Sequence, residues 1–230
     1  MNRVFPILGI LTAILLSYAL YMALEVAPTE QTMGDVQRIF YYHVPSAWTA
    51  FILFTINFVA SLIYLAHRKL TADIVALVSA EVGVVFCTIV LVTGPIWARP
   101  VWGIWWTWDM RLTSTLVLWL IYVSYLVLRR FSAGGETPVL AATLAIFGAL
   151  CVPFVYFSIW FFRTQHPQPV IGRGGSIDPR MMHVLLINWL AFSCFAFLVC
   201  WSRYRLERLQ REVEQAHALE SLTQSPRSLR

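Results

Sequence analysis

The sequence predicts an all-α membrane protein with six transmembrane helices. Of its 230 residues 59% are hydrophobic and only 13% are charged, whereas a soluble domain carries about 25% charged residues. The mean hydropathy is +0.67. Six apolar stretches are long enough, or nearly so, to cross a hydrocarbon core of about 30 Å at about 1.5 Å per residue. Because the chain is this apolar, we expect the lipid bilayer as its environment and do not take its net charge of +5 as a sign of nucleic-acid binding.

The predicted spans follow one another without an internal repeat. The first covers residues 4–24, which is too long for the apolar region of a cleaved signal peptide, so we expect it to be retained. The other five cover residues 47–66, 74–93, 112–128, 139–162 and 182–201. They place a six-helix domain at 1–202 and a cytoplasmic tail at 203–230. In that tail, Glu207 and Arg211 stand at helical spacing and predict a solvated helical extension, with frayed residues at 221–230.

The basic residues predict the orientation of the chain. If the N-terminus is cytoplasmic, 11 of the 17 Lys and Arg residues lie on the inner side and six on the outer side. Cytoplasmic loops of membrane proteins carry the excess of Lys and Arg. We therefore expect both termini inside and three outer loops, at 25–46, 94–111 and 163–181.

A tryptophan-rich segment in the middle outer loop carries most of the functional information. Residues 102–109, here called the tryptophan segment, read Trp-Gly-Ile-Trp-Trp-Thr-Trp-Asp. One or two tryptophans suffice to anchor a helix at a membrane surface, so this density indicates a surface for a large, flat, apolar ligand. Asp109 is equally expected to cap the helix that follows.

Two histidines are predicted to lie beside this segment. His43 is in the first outer loop, next to Pro45, which we expect to end the local helix. His166 is in the third outer loop, and His183 is a weaker candidate at the start of the last span. Each histidine alone is typical of an ordinary loop or interface. Beside an aromatic surface, however, two imidazoles indicate axial ligands for haem iron.

Charged side chains near the same loops fit the acidic edge of a porphyrin. Arg99, Arg111 and Arg163 are candidates to pair with haem propionates, and Arg111 is the preferred one. Inside the spans, Glu81 is a functional candidate by default, but we expect it to pair with a hydroxyl or a backbone group. Asn57 is a second buried polar residue, whose partner the sequence does not reveal.

Longer motifs resemble a known family. The tryptophan segment is similar to the WWD signature of membrane proteins that handle haem in cytochrome c biogenesis. Its continuation, Trp-Asp-Met-Arg-Leu-Thr-Ser at 108–114, resembles the W-D-x-R-L-T-S run of the cytochrome c maturation protein C family. The larger relatives, maturation protein F and the system II synthetase, continue W-D-P instead. The segments Tyr-His-Val-Pro-Ser-Ala-Trp at 42–48 and Thr-Gly-Pro-Ile-Trp-Ala at 93–98 fit the same family.

The resemblance implies that haem b is bound transiently, as cargo, with His43 and His166 as its axial ligands. The other residues implied to surround it are Trp97, Trp102, Trp105, Trp106, Trp108, Asp109 and Arg111. It further implies delivery at the periplasmic face of a bacterial inner membrane to a haem chaperone, cytochrome c maturation protein E. The other implied partners are ABC-type proteins A and B and the small membrane protein D. We expect no catalytic residue and no enzyme, while a part in attaching haem covalently to the chaperone stays open.

Two other classes of protein remain as alternatives. A membrane b-type cytochrome is expected to hold haem between histidines inside its spans, and this chain has none at mid-span. A structural or transport subunit of an ABC complex would not need the tryptophans and histidines. The polar or broken mid-membrane helices expected of a channel or secondary transporter have only limited support, in Glu81, Asn57 and Pro153. If haem is bound between His43 and His166, the glycines at 172, 174 and 175 predict that His166 is the more mobile of the two ligands.

Overall fold

The structure is a computed structural model that describes residues 4–131, 137–167 and 177–224. Among these residues, six helices are long and apolar enough to cross a membrane, which confirms the all-α, six-helix prediction. They are α1 (Val4–Tyr21), α2 (Phe40–His67), α3 (Leu70–Trp102), α4 (Met110–Phe131), α5 (Thr137–Phe161) and α6 (Pro179–Gln224). Two short helical turns, Met22–Val26 and Asp35–Ile39, lie between α1 and α2.

The composition of the spans explains why they fold as helices. Within lipid, every backbone N–H and C=O must find a partner inside the protein, and a helix provides these partners within one segment. All six helices also expose large apolar side chains, Ile14 on α1 and Leu190 on α6 among them. Lipid tails are as apolar as these side chains, so packing rather than burial from water selects the contacts between the helices.

The centre of the bundle lies where α2, α3 and α4 meet. The ring of Phe54 on α2 stacks on that of Tyr122 on α4, with ring centroids 3.9 Å apart. On α3, Gly83 leaves room for this ring, because a Cβ atom there would lie 2.7 Å from Phe54 Cε1. Small residues of this kind let transmembrane helices approach closely.

Helix α3 is longer than predicted. The sequence predicted a loop at 94–111, but α3 continues through Pro95 and Pro100 to Trp102. Prolines are tolerated inside transmembrane helices because neighbouring helices and Ser or Thr side chains satisfy the backbone groups that they free. The connection that carries the tryptophans is therefore short, at 103–109, and the Trp97 and Trp102 side chains project from a helix.

The first predicted outer loop is also shorter than expected. Helix α2 begins at Phe40 and contains both His43 and Pro45. The expectation that Pro45 ends the local helix was wrong, for the same reason as at α3. His43 consequently stands in the first turn of a rigid helix rather than on a loop.

The two polar residues inside the spans that the sequence singled out, Glu81 and Asn57, both have partners. Glu81 binds Arg203 of α6 through two contacts of 2.8 Å, to Nε and Nη2. Our expectation of a hydroxyl or backbone partner was therefore wrong: the partner is a cation 122 residues away in the chain. Asn57 donates from Nδ2 to the Ala76 carbonyl at 2.7 Å.

A second ionic cluster, which sequence reasoning missed, anchors the end of α6. Asp73 is only 2% exposed. It accepts hydrogen bonds from Arg129 of α4 at 2.5 and 2.8 Å and from Arg211 of α6 at 2.8 Å. Arg211 also contacts Glu207 at 2.9 Å. The predicted helical extension is thus present, continuous with the last span, and held against the bundle.

The remaining expectations about the C-terminal region have different outcomes. Helix α6 continues to Gln224, so residues 221–224 are helical rather than frayed. Residues 225–230 and the glycines at 172, 174 and 175 lie outside the described residues. The division into a domain at 1–202 and a tail at 203–230 stays a prediction.

Candidate functional site

The predicted site residues lie at one end of the helix bundle. At this end α2 and α4 begin and α3 and α5 terminate. His43 is in the first turn of α2, the tryptophan segment joins α3 to α4, and His166 follows α5. We call this the site end. The Asp73 cluster lies at the opposite end, where α3 begins and α4 terminates.

His43 is held against the last turns of α3. Its Nδ1 atom is 2.9 Å from the Thr93 hydroxyl. The neighbouring position is Gly94, where a Cβ atom would lie 3.5 Å from His43 Cε1. Arg111, and His166 when it is protonated, lie close enough for their charges to act on His43. The fold therefore brings the two predicted histidine ligands and the preferred arginine into one site.

Asp109 connects the tryptophan segment to the segment after α5. Its Oδ1 accepts a hydrogen bond from the Leu112 N–H at 2.9 Å and so caps α4. Its Oδ2 accepts from the hydroxyls of Thr107 at 3.2 Å and Thr164 at 2.8 Å. The Gln165 N–H adds a fourth contact at 3.3 Å. The expected cap is present, and the same carboxylate also crosses to the segment that carries His166.

The electrostatics of Asp109 follow from these contacts. Burial alone would raise the pKa of its carboxyl group. The hydrogen bonds from Leu112, Thr164, Gln165 and Thr107 together outweigh burial and hold the pKa below its usual value. Asp109 is therefore ionised at neutral pH and keeps all four acceptor contacts.

His166 is oriented by its own segment. Its backbone N–H donates to the Thr164 hydroxyl at 3.1 Å, and its ring Nδ1 is 2.9 Å from the Pro167 carbonyl oxygen. Burial, with the positive charge of Arg111 as the next cause, lowers the pKa of His166 to about 4. The imidazole is thus neutral at pH 7, which is the form that binds a metal ion.

The tryptophans form edge-to-face pairs rather than one flat sheet. The rings of Trp97 and Trp102 are 5.1 Å apart at 84°, and those of Trp106 and Trp108 are 5.7 Å apart at 76°. Trp108 is 77% exposed and Trp105 is 58% exposed. The buried Trp106 Nε1 has no hydrogen-bond partner in the described part of the chain. This donor is available to a ligand.

The three candidate arginines differ in their surroundings. Arg111 is partly buried, donates to the Tyr156 carbonyl at 3.4 Å, and forms no ion pair with any described residue. Arg99 turns back to donate to the Gly103 carbonyl that follows α3, while Arg163 is exposed. His183 is also exposed, on α6. Only Arg111 therefore combines burial, a free charge and proximity to both histidines.

Two threonines that hold the site were missed as functional residues. Thr93 contacts His43, and Thr164 joins Asp109 to the His166 segment. Both stand in family-like motifs, Thr-Gly-Pro at 93–95 and Arg-Thr-Gln-His at 163–166. Their place in these motifs could have pointed to the two threonines. Their partners are 50 and 55 residues away, so spacing in the sequence could not reveal the contacts.

Comparison with known proteins decides the family. Residues 1–219 match the family described as Heme exporter protein C. The chain belongs to the haem exporter protein C family. The resemblance inferred from the WWD and neighbouring motifs is thereby confirmed, and all nine predicted site residues fall within the matched region.

Named relatives in the haem exporter protein C family are similar over most of their length. The Heme exporter protein C of Bradyrhizobium diazoefficiens is 34% identical over 222 residues, which cover 95% of this chain and 84% of the relative. That of Escherichia coli (strain K12) is 33% identical over 206 residues, 89% of this chain and 82% of the relative. An Arabidopsis thaliana protein, named putative cytochrome c biosynthesis ccmC-like mitochondrial protein, is 36% identical over 187 residues. These residues cover 81% of this chain and 70% of the relative.

Proposed function

We propose that this protein binds haem b at the site end and delivers it for cytochrome c maturation. The family supports haem as the cargo, since its relatives are named as heme exporters or as proteins of cytochrome c biosynthesis. The observation that carries the proposal is the position of Asp109. Its carboxylate ties the tryptophan segment to Thr164 and Gln165, and this contact holds His166 in the same site as His43.

The residues present fit a haem with two axial ligands. Both histidines have one ring nitrogen engaged through Nδ1, by Thr93 and by Pro167. The Nε2 atom of each ring is therefore the one that binds iron. Indole rings can line the porphyrin faces, and the unpartnered Trp106 N–H is a donor for a polar group at the porphyrin edge.

Arg111 supplies the positive charge for the haem propionates. A partly buried guanidinium without an ion-pair partner costs free energy, and a carboxylate from the ligand compensates for it. The charge of Arg111 acts on both His43 and His166. Haem binding would thus place two propionate charges beside a cation that forms no ion pair within the described part of the chain.

The site end is proposed to face the periplasm of a bacterial inner membrane, with both termini cytoplasmic. The excess of Lys and Arg on the other side of the bundle supports this orientation. Trp105 and Trp108 are exposed at the rim of the site, where a soluble haem chaperone, cytochrome c maturation protein E, could approach the cargo. ABC-type proteins A and B and the small protein D are the proposed partners, with the domain at 1–202 handling haem. No catalytic group of this chain is needed, because the reactivity belongs to haem.

The test is an absorption spectrum of the purified protein in mild detergent. We expect a Soret band with low-spin, bis-histidine character in the wild type and its loss in the His43→Ala/His166→Ala double variant. His183→Ala is the matched control, because His183 is an exposed histidine, and it should leave the spectrum unchanged. A wild type that stays colourless after expression with ample haem and no chaperone would overturn the proposal in favour of a structural or transport subunit.

A further inference from the structure

The Thr93 hydroxyl makes three contacts that together determine the direction of its proton. Its Oγ1 is 2.7 Å from the Ile89 carbonyl oxygen, 3.5 Å from the Val90 carbonyl oxygen and 2.9 Å from His43 Nδ1. A hydroxyl has a single proton to donate, and a carbonyl oxygen can only accept. Two oxygens 2.7 Å apart repel each other unless a proton lies between them, so the proton of Thr93 goes to Ile89. The oxygen of Thr93 is left to accept a hydrogen bond from His43, which requires the proton of the imidazole to be on Nδ1.

We propose that Thr93 is a positioning residue that fixes His43 in the Nδ1-protonated tautomer and leaves its Nε2 lone pair free to bind haem iron. This inference rests on the proposed function for its haem-binding consequence, but the tautomer itself exists without haem. A ligating histidine commonly donates its second ring N–H to an oxygen acceptor, which sets the ring orientation and raises the basicity of the ligating nitrogen. Thr93 supplies that acceptor from a neighbouring helix.

The second histidine reaches the same tautomer by another route. The oxygen 2.9 Å from His166 Nδ1 is the backbone carbonyl of Pro167, which can only accept, so Nδ1 carries the proton here too. The two imidazoles thus present the same ring nitrogen. The two anchors differ in rigidity: Thr93 belongs to α3, which packs along α2, whereas Pro167 is the next residue in the same segment. His43 is accordingly the ligand whose orientation the helix bundle determines.

The surroundings of the ring agree with this role. Gly94, next to Thr93, has no side chain beside His43 Cε1, and a Cβ atom there would make ordinary van der Waals contact at 3.5 Å. The imidazole therefore rests on α3 with its Nδ1 edge bound to Thr93. Only the opposite edge, which carries Nε2, is left for a ligand.

The first experiment examines the protein without haem. Histidine side chains are labelled with ¹⁵N in the apo protein in detergent, and long-range ¹H–¹⁵N correlations report which ring nitrogen carries the proton. Comparison with His43→Ala assigns the His43 signals. We expect Nδ1–H for His43 in the wild type and in Thr93→Ser, which keeps the hydroxyl. In Thr93→Val, which is similar in shape but has no hydroxyl, we expect the signals to shift towards Nε2–H. A wild-type His43 protonated on Nε2 would overturn the inference.

The second experiment measures haem binding by the same variants. Loss of the hydrogen bond that orients a metal-binding histidine typically reduces the affinity for the metal by about 10–100-fold. We expect a loss of haem affinity of this size for Thr93→Val and an affinity close to that of the wild type for Thr93→Ser. Thr88→Val is the matched control. Thr88, on the same helix, donates to the Val84 carbonyl and accepts from Trp119 Nε1, both at 2.8 Å, so it has the same hydrogen-bonding pattern without a histidine.

The outcomes separate this inference from the proposed function. If the wild type binds no haem, the proposed function fails, while the tautomer of the apo protein still tests the role of Thr93. If the wild type binds haem and Thr93→Val binds it equally well with an unchanged low-spin spectrum, the role of Thr93 is overturned and the proposed function stands. If Thr88→Val weakens binding as much as Thr93→Val, the effect is one of helix packing, and the inference also fails.

Discussion

At the scale of single residues, the two oxygens of Asp109 have separate tasks. Oδ1 accepts from the Leu112 N–H and caps α4. Oδ2 accepts from Thr107, Thr164 and Gln165 and so holds two segments of the site together. A single carboxylate thereby couples the start of a helix to the position of a histidine that follows a different helix.

This division predicts the effect of Asp109→Asn. Asparagine caps a helix about as well as aspartate, but its amide has only one oxygen, so the contacts of Oδ2 are lost while the cap is kept. We expect faster hydrogen exchange at the Gln165 amide and a haem affinity reduced by about 10–100-fold, as for other residues that orient a metal ligand.

Asp178→Asn is the control for this variant. Asp178 accepts from the Arg180 N–H at 2.7 Å at the start of α6 and has no contact with the tryptophan segment. It should therefore leave haem binding unchanged. Unaltered exchange at Gln165 and unaltered affinity in Asp109→Asn would refute the bridging role.

At the scale of elements, α6 is the longest helix of the described residues and has two functions along its length. Its first half packs in the bundle, and Asn188 donates to the Ala19 carbonyl of α1 at 3.2 Å. Its second half extends beyond the apolar span and is held by Arg203 to Glu81 and by Arg211 to Asp73. Since these acids stand on α3, the ion pairs fix the angle at which the extension leaves the bundle.

We predict that Asp73→Asn strongly destabilises the protein. Removing the Asp73 charge leaves Arg129 without its described ion-pair partner and Arg211 with Glu207 alone. Breaking a buried pair in this way typically costs about 3–5 kcal/mol. For a chain of this size, that corresponds to a fall of roughly 6–20 °C in the midpoint of thermal unfolding, measured in detergent by loss of the monodisperse species.

The matched control is Glu212→Gln. The Arg208–Glu212 pair is on the same helix at 2.8 Å, but both side chains are more than half exposed. Exposed pairs of this type contribute only about 0.3–0.5 kcal/mol, so the midpoint should barely move. Equal midpoints for the two variants would show that the Asp73 cluster does not anchor α6.

At the scale of the whole molecule, the bundle has two chemically different ends. The site end carries the tryptophan segment, both histidines and Arg111, which forms no ion pair with the residues that the structure describes. The opposite end carries the ion pairs of Asp73 and the arginine-rich extension of α6. In the orientation proposed above, the start of α1 and the extension of α6 lie on the cytoplasmic side, and the ligand site faces the periplasm.

This asymmetry predicts the labelling of single cysteines in intact cells. Gln31→Cys, between α1 and α2, should react with a membrane-impermeant maleimide, because residue 31 is exposed at the site end. Ala216→Cys, exposed on the α6 extension, should react only after permeabilisation. The unmodified chain is the control, since its four cysteines all lie within helices. The reverse labelling pattern would contradict the proposed orientation.

The fold class, the number of spans and the segments that carry the candidate site residues could be predicted from the sequence alone. These features are local. An apolar run of sufficient length forms a helix in lipid regardless of its partners, and the tryptophan segment is visible as a short stretch of unusual composition. Helix ends were less predictable. Pro45 was expected to end its helix and residues 94–111 were expected to form a loop, whereas α2 continues through Pro45 and α3 through Pro95 and Pro100.

Which side chains contact one another across the chain could be read only from the tertiary structure. The Asp109–Thr164 bridge joins residues 55 apart in the chain, and the Asp73–Arg211 pair joins residues 138 apart. No periodicity or spacing specifies such pairs, because each depends on how whole helices pack side by side. The same holds for Thr93, whose hydroxyl acquires a role only when α3 brings it against His43. Local motifs thus supply the residue types of the candidate site, and helix packing sets the distances between them.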